Sequence, residues 1–201
     1  FFKQKTAYEI LSETTYNNRY IILAIVLTGT FMSLMNSNIV NVALPNITNY
    51  FNVSIAQSQW IVTSYFLTVT AMFLIFGKIS EYTGKTKLFI LGFVIFTLGS
   101  LFCGFSASLD QLIFFRILQA LGASMVFSIS TAIIMDVFPD SEKGRALGYQ
   151  ASVIAIGLII APSLGGVIVD WLGWAYVFFV NIPIGIVGLV SALKYLKIEE
   201  H

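Results

Sequence analysis

Three asparagines lie close together near the end of the first long apolar stretch of the sequence, in "SLMNSNIVNVALPNI" (33–47). They are Asn36, Asn38 and Asn41, and an amide in hydrocarbon is costly unless it has a partner or lines a cavity. Three interpretations are open: the side chains contact a ligand, they are neutral replacements for a titratable group, or they form packing hydrogen bonds between helices. Asn38 and Asn41 are about 60° apart around a helix and Asn36 points elsewhere, which makes Asn36 the better candidate for a cavity.

One basic residue, Arg116, lies inside the apolar run "LIFFRILQALGASMV" (112–126). A guanidinium within a membrane needs a cavity or a partner, unless the side chain extends about 6 Å to the outer interface, towards Asp110. Gln119 follows at a spacing of three and shares the helical face of Arg116. The helical rise places Arg116 and Asn36 at comparable depths, so the two side chains can meet across a cavity. Such a pair contains no titratable acid.

The composition indicates that a membrane surrounds these residues. Hydrophobic residues make up 57% of the 201 positions, charged residues 10%, and the mean hydropathy is +0.86, values typical of an integral membrane protein. A spanning helix needs about 20 mostly apolar residues. Six stretches meet this requirement, at roughly 20–45, 57–77, 87–106, 110–135, 146–169 and 175–195. Because these stretches lack period-2 alternation, they predict an all-α six-helix bundle and exclude a barrel.

The basic residues predict how the bundle is oriented. Apart from Arg116, every Lys and Arg precedes helix 1, lies at or after the end of helix 6, or lies where helices 2 and 3 or helices 4 and 5 are joined. The positive-inside rule makes this side cytoplasmic. We therefore predict a multi-pass protein of the cell membrane, with a cytoplasmic amino-terminal segment at 1–19, the bundle at 20–195 and a cytoplasmic tail at 196–201.

An internal repeat emerges when the chain is shifted by 89 positions. "GKISEYTGKTKLF" (77–89) then aligns with "GVIVDWLGWAYVF" (166–178), and four residues are identical, two of them glycines. The first segment lies at a cytoplasmic loop and the second at an outer loop. The two three-helix units would therefore have opposite orientations, as in the inverted repeats of transporters. Chance similarity in so apolar a chain stays the alternative.

These segments resemble the major facilitator superfamily, specifically the amino-terminal six helices of its fourteen-span drug:proton antiporters. The segment 77–89 is similar to the family's loop 2–3 signature, which implies that it gates the cytoplasmic side. The residues that match this signature are Gly77, Glu81, Gly84, Lys85 and Lys87. A simpler interpretation is that the lysines only fix the topology, and both can hold.

Helices 1, 4 and 5 carry further similarities to the same family. "RILQALGA" (116–123) is similar to the helix 4 signature, and Asn36 stands where the antiporters usually carry an Asp. Helix 5 contains an antiporter-like signature whose residues here are Gly157, Ala161, Pro162, Gly165 and Gly166. Small residues four apart permit close helix packing, and a proline weakens the hydrogen-bond ladder where a helix bends. Plain packing is the simpler interpretation of this stripe.

The resemblance implies a half or subunit of a secondary active transporter that moves small amphipathic or cationic solutes, such as drugs, by alternating access. The residues that would face the substrate path are Asn36, Asn38, Asn41, Arg116 and Gln119. Proton coupling is not expected at helix 1, because an asparagine cannot titrate. A second six-helix bundle is expected as the partner, from a missing half of the same chain, another chain or a second copy.

The sequence leaves one other functional class open and argues against a second. A non-transporting membrane scaffold or assembly protein with a transporter-like fold stays the alternative function. An enzyme is not predicted, because the only histidine is His201 and no paired acids or Ser–His set occurs within the helices. The sequence likewise predicts no cofactor, no metal site and no nucleic-acid partner.

Overall fold

The computed structural model describes residues 18–196, which contain six helices long and apolar enough to cross a membrane and no strand. The helices are α1 (Arg19–Phe51), α2 (Ile55–Thr83), α3 (Lys85–Gly104), α4 (Leu109–Val137), α5 (Asp140–Leu172) and α6 (Tyr176–Tyr195). Short breaks at Gln59 and Val180 divide α2 and α6 near their starts. The predicted all-α six-helix bundle is confirmed. The predicted terminal segments lie outside the described residues, except for residues 18, 19 and 196.

Two glycines end helices at equivalent places in the aligned repeat. Gly84 ends α2 with a φ of 92°, and Gly173 ends α5 with a φ of 97°. Side chains rarely tolerate this region of φ, so glycine suits both positions. Each glycine therefore lets one long helix stop and the next begin within a few residues.

The packing of the helices follows the same repeat. Helix α1 packs along α5, and α4, its counterpart, packs along α2. Likewise α4 packs against α3, and α1 packs against α6, while α1 contacts α4 and α3 contacts α6 across the centre. Exchanging the units α1–α3 and α4–α6 maps each of these contacts onto another, as expected of two inverted three-helix repeats.

Two apolar clusters fill the core, one on each side of a polar layer. The first includes Phe89, Phe93, Phe96 and Ile133, and the second includes Ile39, Ile61, Leu112 and Phe178. Each of α1, α3 and α4 contributes to both clusters, and a buried polar side chain separates the two contributions. These polar side chains are Ser33, Ser100 and Arg116, and Asn36 lies in α1 next to Met35, the first member of the second cluster.

Ion pairs join helix ends on one side of the bundle. Lys85, at the start of α3, contacts Asp136 near the end of α4, with Nζ 2.5 Å from Oδ2. Arg19, at the start of α1, pairs with Glu142 at the start of α5 at 3.2 Å. The basic residues of these helix ends therefore share one face of the bundle, as the charge pattern predicts for the cytoplasmic side.

Candidate functional site

Arg116 is the centre of the buried polar layer. Its side chain is 0% exposed. The Nη1 atom donates hydrogen bonds to Asn36 Oδ1 at 2.5 Å and to Gln119 Oε1 at 2.6 Å, and Nε donates to the Ile61 carbonyl at 3.2 Å. Hydrogen bonds from a charged donor are about twice as strong as neutral ones. One side chain of α4 thus ties together α1, α2 and its own helix.

Two further residues complete this cluster. The Tyr65 ring of α2 lies under the guanidinium, with its centroid 4.0 Å from the Arg116 Cζ, and the Tyr65 hydroxyl donates to the Ser33 carbonyl of α1 at 3.1 Å. On the other side, Gln119 Nε2 donates to Ser100 Oγ of α3 at 2.6 Å. We call Asn36, Tyr65, Ser100, Arg116 and Gln119 the arginine cluster. Its members come from all of the first four helices.

Close packing of α3 on α4 brings Ser100 within reach of Gln119. A Cβ on Gly99 would lie only 2.7 Å from the Gln119 Cα, closer than real Cβ contacts. Glycine therefore lets the two backbones approach at the level where the side-chain hydrogen bond forms.

The structure brings together some of the predicted site residues and not others. The contact of Asn36 with Arg116, inferred from helical rise alone, is present, and Gln119 joins it. The alternative in which Arg116 extends to the outer interface is wrong, because the buried guanidinium bonds inwards. Asn38 Nδ2 instead donates to the Leu34 carbonyl at 2.9 Å, and Asn41 Nδ2 to the Ser37 carbonyl at 3.4 Å. Their role on a substrate path stays a prediction.

The arginine cluster has no acidic member. Within residues 18–196 no Asp or Glu is buried, and the partners of Arg116 are two amides, a carbonyl and two rings. Two donors in the cluster, Arg116 Nη2 and Asn36 Nδ2, have no hydrogen-bond acceptor. A guanidinium stays protonated in proteins, so the cluster carries a fixed positive charge and spare donor capacity.

The bundle also has a groove away from this cluster. It lies between the first part of α1 and the last part of α6, has a volume of about 160 Å³, and is lined by residues that include Ala24, Thr28 and Ser191. No member of the arginine cluster lines it. Asn36 itself is closed off from solvent, so no open cavity reaches it in this conformation.

The predicted gating segment 77–89 spans the end of α2 and the start of α3. Glu81 pairs with Lys78 one helical turn away, at 2.5 Å, and both side chains are largely exposed. Lys85 pairs with Asp136 of α4, a partner that the sequence analysis does not predict. Gly84 makes the turn, nothing lies within 4 Å of a Cβ built on Gly77, and Lys87 is exposed. The segment is thus linked to α4 through Lys85.

The predicted stripe on α5 divides into two faces. Gly157, Ala161 and Gly165 are buried, and a Cβ on Gly165 would lie 2.9 Å from Ile39 Cγ1 of α1. Pro162 is exposed, and nothing lies within 4 Å of a Cβ built on Gly166. Gly157 and Gly165 therefore face α1, and Ile39 at this contact lies one helical turn from Asn36.

Gly165→Leu is expected to lower the free energy of unfolding by about 1–3 kcal/mol, because the new side chain overpacks the α1–α5 contact. Gly166→Leu is the matched control, since it removes the neighbouring glycine and meets open space. Melting temperatures of both variants in detergent provide the measurement. Equal melting temperatures would show that the two helices do not pack closely here.

Comparisons with known proteins place this architecture among transporters. Residues 26–201 match the family model described as Major Facilitator Superfamily. The chain is 42% identical over 178 residues to "Riboflavin transporter RibZ" of Clostridioides difficile (strain 630), covering 89% of the chain and 39% of that relative. It is 33% identical over 181 residues to "Multidrug resistance protein 3" of Bacillus subtilis (strain 168), covering 90% of the chain and 35% of that relative.

Solved structures agree on the fold. A bacterial homologue of the human lysosomal transporter Spinster, in an inward-facing and occupied conformation, superposes with a TM-score of 0.74. The two chains share 20% identity, and the match covers 92% of this chain and 45% of the other. The chain thus spans less than half the length of these two relatives and of this structure.

Proposed function

Because the chain belongs to the major facilitator superfamily, we propose that it is the amino-terminal six-helix half of a secondary transporter. The observation that carries this proposal is the buried arginine cluster, in which Arg116 of α4 joins α1 and α2, and Gln119 of α4 joins α3. A buried charge in a membrane is expensive and marks a functional site more often than a structural one. We place the substrate path next to it, on the faces of α1 and α4.

The half would work with a second six-helix bundle. Continuation of the same protein, another chain or a second copy can each supply it. Helices α2 and α5 support this proposal, because both expose broad apolar faces that include Leu67, Leu74, Ile159 and Val167. Such faces are covered by lipid or by another bundle. Rocking of the two bundles about a site near the bilayer centre would give alternating access.

The transported solutes are proposed to be amphipathic. Two of the matched relatives are named for riboflavin transport and for multidrug resistance, and riboflavin and many drugs combine a planar ring system with polar groups. Proton coupling through α1 is proposed to be absent, because Asn36 occupies the contact with Arg116 and cannot titrate. The predicted path residues Asn38 and Asn41 follow Asn36 in α1.

At the cytoplasmic side, Lys85 and Asp136 are proposed to hold the inner gate, and the Glu81 carboxylate, which pairs with Lys78 of its own helix, is exposed beside them. Lys85→Asp is expected to reduce transport several-fold, because two carboxylates then face each other where the ion pair was. The double variant Lys85→Asp with Asp136→Lys is expected to restore at least half of the activity. Initial rates of substrate flux provide the measurement.

The control for this charge swap is the local pair Lys143–Asp140, which lies within the first turn of α5 at the same end of the bundle. Exchanging these two charges is expected to leave the flux unchanged, because both residues belong to α5 and the pair does not link it to another helix. A double variant at Lys85 and Asp136 as inactive as the single variant would contradict a gating role for the ion pair.

Substrate flux tests the proposed function itself. The assembled transporter is reconstituted into sealed vesicles, and riboflavin entry is followed by fluorescence after native mass spectrometry has established the composition of the assembly. Saturable flux that depends on the protein is expected. An intact assembly that moves neither riboflavin nor amphipathic dyes would favour the alternative, a membrane scaffold or assembly protein with this fold.

A further inference from the structure

The charge around Arg116 is not balanced within the described bundle. Its polar contacts are neutral, namely the Asn36 and Gln119 amides and the Ile61 carbonyl, and its ring contacts are Tyr65 and Phe178. The carboxylates that form ion pairs in residues 18–196 lie at the helix ends, paired with other cations. The polar layer between the two apolar clusters therefore has a net charge of one positive unit.

Two buried donors of the arginine cluster point to a missing acceptor. Arg116 Nη2 and Asn36 Nδ2 are both enclosed by protein and both lack a hydrogen-bond partner. In native proteins, the great majority of buried polar atoms are paired, so each exception calls for a ligand, a water or a functional reason. The two atoms belong to side chains that already contact each other, so a ligand with acceptor oxygens that reaches this contact meets both side chains.

The rings beside the guanidinium suit a flat ligand. The Tyr65 centroid lies 4.0 Å from the Arg116 Cζ and the Phe178 centroid lies 5.8 Å from it. Aromatic faces and a planar guanidinium both stack on planar solutes. Both rings are buried against the guanidinium in this conformation, so they would border a ligand only once it displaces part of the cluster.

We infer that the arginine cluster selects substrates by charge, favouring neutral or anionic aromatic solutes that carry carbonyl or carboxylate oxygens and disfavouring organic cations. This inference rests on the proposed transport function and narrows it. A positive charge in a low-dielectric, salt-free interior acts over longer distances than one in water. A cation on the path is therefore repelled even while the cluster is closed, whereas an acceptor oxygen gains the two free donors when a substrate displaces the Asn36 amide from Arg116.

The test compares three fluorescent aromatic probes of different charge: fluorescein as the anion, riboflavin as the neutral solute and ethidium as the cation. Initial rates are measured with the assembled transporter in sealed vesicles at zero membrane potential, so that voltage does not favour either ion. Wild-type protein is expected to move fluorescein and riboflavin at least tenfold faster than ethidium. Asn36→Asp, which neutralises the cluster, is expected to shift this ratio at least tenfold towards ethidium.

Asn49→Asp is the matched control, because it adds the same charge to an exposed position of the same helix, and its probe ratio is expected to equal that of the wild type. Faster ethidium flux in the wild type, or an unchanged ratio in Asn36→Asp, would overturn the charge selection while leaving transport established. An intact assembly that moves none of the three probes would overturn the proposed transport function and the inference with it.

Discussion

Replacing Asn36 with aspartate is expected to stabilise the bundle by about 1–3 kcal/mol, because the carboxylate compensates the buried charge of Arg116 but must itself be desolvated. Arg116 is already fully buried, with Asn36 Oδ1 2.5 Å from its Nη1. A carboxylate in the same place accepts the same hydrogen bond and neutralises the charge. The apparent melting temperature of the purified protein in detergent is expected to rise by roughly 5 °C at neutral pH.

The same variant is expected to melt like the wild type at a pH low enough to protonate the new carboxylic acid, because a neutral acid resembles the amide that it replaces. Asn49→Asp, on the exposed part of α1, serves as the control and is expected to leave the melting temperature within about 1 °C of the wild type. A lower melting temperature for Asn36→Asp at neutral pH would show that a nearby acid already compensates Arg116.

Arg116→Leu is expected to reduce the rate of substrate flux about 100-fold. Loss of the side chain removes three hydrogen bonds from a charged donor, each contributing about 1.5–3 kcal/mol, and leaves the acceptors on Asn36 and Gln119 buried without donors. The melting temperature of Arg116→Leu is expected to fall less than the loss of three hydrogen bonds suggests, because the substitution also removes the cost of burying an unpaired charge.

Two further variants separate the charge of Arg116 from its geometry. Arg116→Lys keeps the charge but cannot reach three acceptors in a planar fork, so an intermediate flux is expected. Lys194→Leu removes an exposed cation near the end of α6 and is expected to leave the flux unchanged. Wild-type flux in Arg116→Leu, with the protein folded, would show that the arginine cluster is structural only.

The fold could be predicted from the sequence because apolar length and charge distribution are direct consequences of the bilayer. The six helices occur where the apolar stretches predict them, although several extend further. Helix α5 begins at Asp140, six residues before its predicted start. These six residues include charged side chains and lie outside the apolar stretch. Acidic residues such as Asp140 and Glu142 favour a helix amino terminus.

The site could be predicted only in part, because the sequence specifies how deep a residue lies in the membrane but not how each helix is rotated about its axis. Helical rise was enough to place Asn36 opposite Arg116. The partners Ser100, Tyr65 and Asp136 depend on how neighbouring helices cross and rotate, which no pattern in one sequence specifies. At Asn38 the cost of burial was a misleading signal, because this amide donates a hydrogen bond to the Leu34 carbonyl of its own helix.

The measurement that tests the central claim most directly is the movement of protons during riboflavin transport. Vesicles that contain the assembled transporter are loaded with a pH-sensitive dye, and proton movement per riboflavin is compared between wild type and Asn36→Asp. If α1 works without proton exchange because Asn36 is fixed and neutral beside Arg116, the variant moves one more proton per riboflavin than the wild type. An identical stoichiometry in the two proteins would contradict this claim.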